Sequence, residues 1–287
     1  MAARAGPGFL CLVLHAHLPF VRHPEEERFL EEGWLYEALL ETYVPLVGLL
    51  DRLARDRVAC RFTLSLSPTL GSMLADRLLV QRFLRHLDGL IELADREIRR
   101  TAGEADFHAL ARMYRARFQE VRRLFRDEHG CDLPGALARH AAAGRLELIT
   151  CAATHGLLPL LGRTAAEAQV AVAVEHHARL FGAPPRGFWL PECAFAPGLD
   201  ELLARHGIGW FVVDGPALLN ASSRPLSGTF APLLCPAGPA AFGRDEECGR
   251  QVWSRSEGYP GDPDYREFYR DIGFDLPWEA VAPYTFS

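Results

Sequence analysis

Five residues with chemically capable side chains each follow an apolar run of this sequence: His15, His17, His155, Glu192 and Asp214. A His-x-His pair, a further histidine and a carboxylate make a plausible zinc-binding set. The same residue types suit retaining glycosyl transfer, which needs a carboxylate nucleophile and a second carboxylic acid about 5–5.5 Å away. In that chemistry, histidines hydrogen-bond to the sugar hydroxyls. The residue types alone leave both chemistries open.

Three tryptophans favour the sugar chemistry. Trp189 lies three residues before Glu192, and Trp210 and Trp253 follow in the last third of the chain. Flat aromatic faces stack on the C–H surfaces of pyranose rings, whereas a metal-dependent hydrolase has no special need of them.

Glu192 stands in the segment W-L-P-E-C-A-F (189–195), and Pro197 then precedes a predicted helix over 198–205. A lone glutamate beside proline is usually a turn residue. Here its neighbours are Trp, Cys and Phe, and a carboxylate in apolar surroundings is costly unless it is paired or used. The segment therefore predicts that a strand end delivers Glu192 into a pocket.

The elements that must position these residues follow from apolar periodicity. Continuous apolar runs predict buried strands, and apolar residues at helical spacing predict helices. The predicted strands are 9–14, 60–66, 146–151, 187–190 and 209–213, with weaker signals near Leu233 and Phe242; the predicted helices are 34–55, 164–180 and a long helical insertion over about 70–143. Strands that alternate with helices predict an α/β fold with a parallel sheet, and a barrel in particular. In such a barrel the carboxyl ends of the strands meet at one rim, so the five residues would surround one pocket.

The composition excludes several classes of protein. All 31 basic residues among the 287 are arginines, which rules out Schiff-base and P-loop lysine chemistry. A net charge of −6 without any basic run disfavours nucleic acid and is compatible with a neutral polymer.

Cysteine usage and hydropathy bear on the compartment. The seven cysteines contain no C-x-x-C pair, which predicts reduced thiols in a cytoplasmic protein, and Cys193 is expected to pack as a small apolar side chain. The sequence predicts no signal peptide and no membrane span.

Four ordered segments resemble glycoside hydrolase family 57, and within it the 1,4-α-glucan branching enzymes. They are L-V-L-H-A-H-L-P-F (12–20), E-L-I-T-C-A-A-T-H-G-L-L-P-L-L (147–161), W-L-P-E-C-A-F (189–195) and the stretch 242–276 beginning F-G-R-D-E-E-C-G-R-Q-V-W-S-R-S-E-G-Y. The resemblance implies an incomplete (β/α)7 barrel of parallel strands, with the helical insertion after the second strand and helical domains after the barrel.

The resemblance also implies roles for individual residues. Glu192 is expected to be the nucleophile, and the donor sugar is expected to contact His15, His17, His155 and Trp189, with Asp214 at the edge. The acceptor side is expected to involve Arg244, Trp253 and Tyr259. The implied substrate is an α-glucan such as amylose or glycogen, whose glucosyl ester passes to a 6-hydroxyl of another chain. No metal or cofactor is expected.

One departure from the family pattern matters for activity. The family's acid/base aspartate lies in a segment resembling F-D-x-E-x-x-G-H-W-W, and no such segment occurs in residues 1–287. We therefore expect this chain to be an N-terminal barrel portion, with the insertion at about 70–144, that lacks the rest of the barrel and a C-terminal helical domain, either as a fragment of a longer enzyme or as a naturally shortened one. General acid catalysis contributes about 10²–10⁴-fold, so we expect little activity from the chain alone.

Other functions remain open at this level. Within the family they are a 4-α-glucanotransferase and an α-amylase, which differ from a branching enzyme in product linkage. Outside this chemistry they are a metal-dependent carbohydrate deacetylase and a non-catalytic glucan-binding protein.

Overall fold

The computed structural model of the chain describes residues 8–262 and 276–282. Its centre is one seven-stranded sheet with the order β1-β2-β3-β4-β5-β7-β6. The strands are β1 (Val13–Ala16), β2 (Phe62–Leu66), β3 (Leu146–Cys151), β4 (Gly187–Trp189), β5 (Trp210–Val213), β6 (Leu233–Leu234) and β7 (Ala240–Gly243). Neighbouring strands from β1 to β5 and β7 are parallel, and only the short β6 pairs antiparallel, with β7.

The two ends of the sheet are not joined within the described residues. β1 forms one edge and β6 the other. The predicted α/β fold with an incomplete barrel of parallel strands is confirmed.

Eleven α-helices accompany the strands in the described residues. They are α1 (Glu32–Ala38), α2 (Val44–Arg55), α3 (Pro68–Leu74), α4 (Arg77–Arg100), α5 (Ala105–Arg122), α6 (Leu133–Ala142), α7 (Arg163–Phe181), α8 (Leu199–Arg205), α9 (Gly215–Leu219), α10 (Glu246–Trp253) and α11 (Trp278–Val281). One π-helical turn, Leu39–Tyr43, joins α1 to α2, and another, Arg123–Glu128, follows α5. The helices α3 to α6 all lie between β2 and β3, as the predicted insertion requires.

Local sequence explains where the helix α3 starts. Ser67 is its N-cap, and its hydroxyl accepts a hydrogen bond from the Leu70 backbone N–H. Pro68 follows at the first helical position, where its missing N–H costs nothing. This cap also places Ser67 at the carboxyl end of β2.

The two faces of the sheet have different surroundings. Leu64, Leu66 and Leu148 belong to the large apolar core that β2 and β3 share with the helices. A small apolar cluster on the other face contains Cys151, Trp189, Cys193 and Val212. We call this second face the pocket face, because the polar strand residues described below lie on it.

A glycine in β4 leaves room for a tryptophan side chain of the neighbouring strand. A Cβ at Gly187 would lie 2.4 Å from the Trp210 indole and 2.8 Å from Ile149 Cγ2, which is closer than real Cβ contacts. The Trp210 side chain therefore crosses the strand only because residue 187 has no side chain.

The predicted first strand was wrong in its N-terminal part. We expected residues 9–14 to form a buried strand, but the strand begins at Val13, and Phe9 and Leu10 are 91% and 92% exposed. β1 is a sheet edge, so no described strand covers the apolar residues before it. Apolar character alone does not tell an edge segment from a buried one.

Candidate active site

Alternating strand geometry brings the predicted residues to one rim. His15 lies in β1 and His17 just after it, two residues apart, so both point to the pocket face. A cavity of about 650 Å³ opens at the carboxyl ends of the strands. Its lining includes eight of the nine residues singled out from the sequence, namely His15, His17, His155, Trp189, Glu192, Asp214, Arg244 and Trp253. Tyr259, the ninth, is not among the lining residues and begins an exposed single turn, Tyr259–Gly261.

The three histidines form a compact cluster with Trp189. Nε2 of His15 lies 3.0 Å from Nε2 of His155. The His155 ring stacks on His17 at a centroid distance of 4.0 Å, and the His15 ring stacks on Trp189 at 4.6 Å with an interplanar angle of 8°. The His15 and His155 rings are thereby each held by two other rings of the cluster, which suits residues that must present nitrogen atoms to a ligand.

Burial and mutual proximity keep this cluster neutral. Burial, then the neighbouring His155 and His17, lower the pKa of His15 to about 3. Burial and His155 lower the pKa of His17 to about 4. Burial also lowers the pKa of His155, against an opposing effect of Glu192. At neutral pH the rings are therefore uncharged and each can both donate and accept a hydrogen bond.

Glu192 stands on a strained turn directly after β4. The single helical turn Pro191–Cys193 contains two consecutive residues with left-handed backbone, Glu192 at φ 54° and Cys193 at φ 53°. His155 has φ 57°, so three of the five described non-glycine residues with positive φ lie at this cavity. Such conformations cost about 1–3 kcal/mol each and cluster at functional sites.

The surroundings of Glu192 combine apolar and polar side chains. Its side chain is exposed and lines the cavity. Of its apolar sequence neighbours, Trp189 and Cys193 line the same cavity, whereas Phe195 stacks on Phe211 at 5.6 Å.

Asp214 and Arg244 form an ion pair in the cavity lining. Asp214 follows β5 and Arg244 follows β7, and the two side chains meet at 2.9 Å. Both are about half exposed. Two backbone hydrogen bonds hold the pair near Glu192, from Asp214 N to the Cys193 carbonyl and from Arg244 N to the Val213 carbonyl.

Helix α10 provides one side of the cavity. Trp253, at its last residue, lines the cavity and is 72% exposed. Glu246, Gly249 and Arg250 of the same helix also line it. The stretch 242–276 that resembles branching enzymes is described only in part, because residues 263–275 lie outside the described residues.

Sequence reasoning missed two serines that hold the histidines. Ser65 and Ser67 are fully buried, and their hydroxyls lie 3.0 Å from Nδ1 of His15 and of His17, respectively. The signal was present in the segment F-T-L-S-L-S (62–67), where polar and apolar residues alternate with the period of a strand. The polar set points to the same face as the histidines.

Cys193 is the cysteine among the described residues that line the cavity. Burial raises the pKa of the Cys193 thiol to about 12, so Cys193 is protonated at neutral pH. All seven cysteines are free thiols. Among the described residues, the one group of three possible metal ligands within 4.8 Å is Asp51, Glu128 and His129, none of which lines the cavity. No helix in the described ranges has the length and apolar character needed to cross a membrane.

Comparison with known proteins places the chain in a family. The profile of Glycosyl hydrolase family 57 matches residues 11–272. The chain is 34% identical to the 1,4-alpha-glucan branching enzyme TK1436 of Thermococcus kodakarensis, over 92% of this chain and 42% of that protein. The crystal structure of TK1436 in complex with glucose and additives superimposes with a TM-score of 0.82, covering 93% of this chain and 52% of that chain at 31% identity.

A second solved structure is that of an alpha-amylase. The alpha-amylase AmyC from Thermotoga maritima superimposes with a TM-score of 0.90 and 42% identity, over 96% of this chain and 53% of that chain. This chain therefore spans about half the length of the proteins it matches. The profile match over most of the sequence and the identity to both proteins show that the chain belongs to glycosyl hydrolase family 57.

Proposed function

We propose that this chain provides the donor-sugar site of a retaining 1,4-α-glucan branching enzyme, with Glu192 as the nucleophile. A carboxylate oxygen of Glu192 attacks the anomeric carbon of an α-1,4-glucan, the bond from C1 to the glycosidic oxygen breaks, and a glucosyl ester forms. The 6-hydroxyl of another glucan chain then attacks the same carbon and loses its proton to the conjugate base of the acid that protonated the departing oxygen. The ester bond breaks, an α-1,6 linkage forms, and the Glu192 carboxylate is released. The proposed reaction uses neither a metal nor a cofactor.

The observation that supports this proposal most strongly is the composition of the cavity. An exposed carboxylate on a strained turn faces a cluster of neutral histidines and a buried tryptophan, at the carboxyl ends of parallel strands. Neutral imidazoles can bind sugar hydroxyls without adding charge. The 34% identity to TK1436, a 1,4-alpha-glucan branching enzyme, and the glucose in the TK1436 structure support an α-glucan as substrate.

The departing glycosidic oxygen needs a proton, and the described part of the cavity offers no carboxylic acid free to donate it. Apart from Glu192, the carboxylates that line the cavity among residues 8–262 and 276–282 are Asp214 and Glu246. Asp214 is paired with Arg244, so a protonated Asp214 would give up that ion pair. We propose that residues 1–287 form the N-terminal barrel portion, with its insertion at about 70–144. Turnover of ordinary glucans by this chain alone is expected to fall about 10²–10⁴-fold below that of an enzyme with its acid in place.

A donor with an activated leaving group tests the nucleophile separately from the acid. Fluoride leaves α-maltotriosyl fluoride without protonation, so attack by Glu192 should produce a maltotriosyl ester that intact-protein mass spectrometry detects. Glu192→Gln should give no adduct. Glu201→Gln, an exposed glutamate in α8 away from the cavity lining, is the matched control and should react like the wild type. An equal adduct on Glu192→Gln would contradict the assignment.

A second candidate function is that of an α-amylase, which the 42% identity to AmyC favours. The linkage of the product decides between the two. With α-maltotriosyl fluoride as donor and maltoheptaose as acceptor, NMR should detect new α-1,6 linkages for a branching enzyme. Free maltotriose would indicate an amylase, and new α-1,4 linkages a 4-α-glucanotransferase. Binding of maltoheptaose without any adduct or product would indicate a glucan-binding protein.

A further inference from the structure

A chain of three hydrogen bonds runs from His17 to the protein backbone. Nδ1 of His17 lies 3.0 Å from the Ser67 hydroxyl, which lies 3.1 Å from the Thr69 hydroxyl. The Thr69 hydroxyl donates to the Leu18 carbonyl at 3.0 Å. Ser67 also accepts from the Leu70 backbone N–H at 3.3 Å, as the cap of α3.

Each hydroxyl has a single proton, and this determines which atom is the donor in each of the three hydrogen bonds. A carbonyl oxygen only accepts, so the single hydroxyl proton of Thr69 goes to Leu18. The Thr69 oxygen can then only accept, and the single proton of Ser67 goes to it. Ser67 therefore has no proton left for His17 and must accept from Nδ1. His17 consequently has its proton on Nδ1 and a lone pair on Nε2.

The neighbouring histidine has the opposite arrangement. Ser65 is fully buried, and a buried hydroxyl proton without an acceptor is costly. Among residues 8–262 and 276–282, the acceptor for the Ser65 hydroxyl is Nδ1 of His15, at 3.0 Å. His15 therefore has its proton on Nε2 and donates it to Nε2 of His155, 3.0 Å away.

We propose that Ser65, Ser67 and Thr69 are positioning residues that hold the two histidines of H-A-H in opposite tautomers. The Nε2 proton of His15 is thereby used in the hydrogen bond to His155. The Nε2 lone pair of His17, in contrast, becomes an acceptor for one hydroxyl of the bound sugar. The second half of this inference depends on the proposed function, because it requires a glucan in the cavity. The tautomers themselves do not depend on it.

The tautomers can be read directly by NMR. In ¹⁵N-labelled protein at pH 7, long-range ¹H–¹⁵N correlations distinguish protonated from unprotonated ring nitrogens, and His15→Gln and His17→Gln assign the signals. The wild type should show a protonated Nδ1 in His17 and a protonated Nε2 in His15. The same tautomer in both rings would overturn the proposal, whatever the activity of the chain.

Thr69→Val tests the direction of the hydrogen-bond chain. Valine has no oxygen to accept the Ser67 proton, so this proton should turn to Nδ1 of His17 and move the ring proton to Nε2. Thr69→Ser keeps the hydroxyl and should keep the wild-type tautomer. Thr63→Val is the matched control in β2, because the Thr63 hydroxyl donates to Glu147 and not to either histidine.

Glucan affinity tests the role of the lone pair. Calorimetry with maltoheptaose should show binding about fivefold weaker in Thr69→Val, which corresponds to one lost hydrogen bond, with Thr69→Ser and Thr63→Val close to the wild type. A changed tautomer with unchanged affinity would overturn the assignment of His17 Nε2 as a sugar acceptor. Failure of the wild type to bind maltoheptaose would instead contradict the proposed function and leave the NMR result standing.

Discussion

The Nε2 atoms of His15 and His155 lie 3.0 Å apart, although 140 residues separate them along the chain. Only one proton can lie between these two nitrogen atoms. If both rings were charged, two N–H donors would point at each other. Burial and this proximity explain why the pKa of His15 falls to about 3. The contact joins the first strand to the loop after β3, and it exists only in the folded chain.

We predict that the folded state loses stability as the pH falls from about 6.5 towards 4. Unfolded histidines take up protons near pH 6.5, whereas folded His15 and His17 stay neutral down to about pH 3 and 4. The unfolded state therefore binds more protons in this window. The free energy of unfolding should fall by at most about 1.4 kcal/mol per pH unit for His15, and by less for the more exposed His17.

Urea unfolding at pH 7.5, 6 and 5 measures this effect. His15→Gln should show a shallower pH dependence than the wild type, because glutamine takes up no proton in either state. Identical slopes in the two proteins would show that His15 does not contribute.

We predict that Arg244→Gln affects binding more than folding. The ion pair with Asp214 is about half exposed, so its loss should cost less than about 1 kcal/mol of stability. Asp214 would lose the partner that orients it at the cavity wall, and maltoheptaose should bind about fivefold more weakly. Arg205→Gln is the matched control, because its ion pair with Glu167 is similarly exposed but outside the cavity lining. Equal effects of both variants on binding would contradict a role for Arg244.

Gly187→Ala should destabilise the protein by about 1–3 kcal/mol, because its Cβ would overlap the Trp210 indole and Ile149. Gly89→Ala in α4 provides a control of opposite sign. No atom lies within 4 Å of a Cβ at Gly89, and alanine in a helix interior is favoured by about 0.5–1 kcal/mol. Urea unfolding of the two variants should therefore shift in opposite directions, and a neutral Gly187→Ala would show that Trp210 can move aside.

A carboxylate of α2 that contacts two histidines of the helical insertion should matter for stability, although it lies outside the cavity. Asp51 accepts hydrogen bonds from Nε2 of His129 at 2.9 Å and of His140 at 3.1 Å. Nδ1 of each ring lies 3.1 Å from a guanidinium, of Arg139 or Arg145, which can only donate. Both rings therefore have their protons on Nε2, facing Asp51.

Asp51→Ala would leave these two N–H groups without their acceptor and should destabilise the protein by at least about 1–3 kcal/mol. Asp88→Ala serves as the comparison, since it removes a more exposed pair with Arg122 and should cost less than about 1 kcal/mol. Thermal unfolding of the two variants measures the difference. If Asp88→Ala were as damaging as Asp51→Ala, the buried network would have no special role.

Much of the fold was predictable because it depends on local patterns. The apolar run at residues 146–151 became β3 with the same bounds, and the helix expected at 164–180 became α7. Strand period and helical period are read from neighbouring residues, so they need no knowledge of the partner. The N-terminal run failed because burial depends on what lies beside a strand, and β1 lies at a sheet edge.

The sequence by itself determined which residues are candidates for chemistry and which predicted strand each of them follows. The parallel order of those strands then predicted that the candidates meet at one rim. Tertiary structure decided how they act together. The left-handed backbone at Glu192, the ion pair of Asp214 with Arg244, and the opposite tautomers of His15 and His17 all arise from contacts between residues that are distant in the chain or from strain imposed by the surrounding fold. Such features depend on distances of about 3 Å and on the direction of single protons, which only the packed sheet defines.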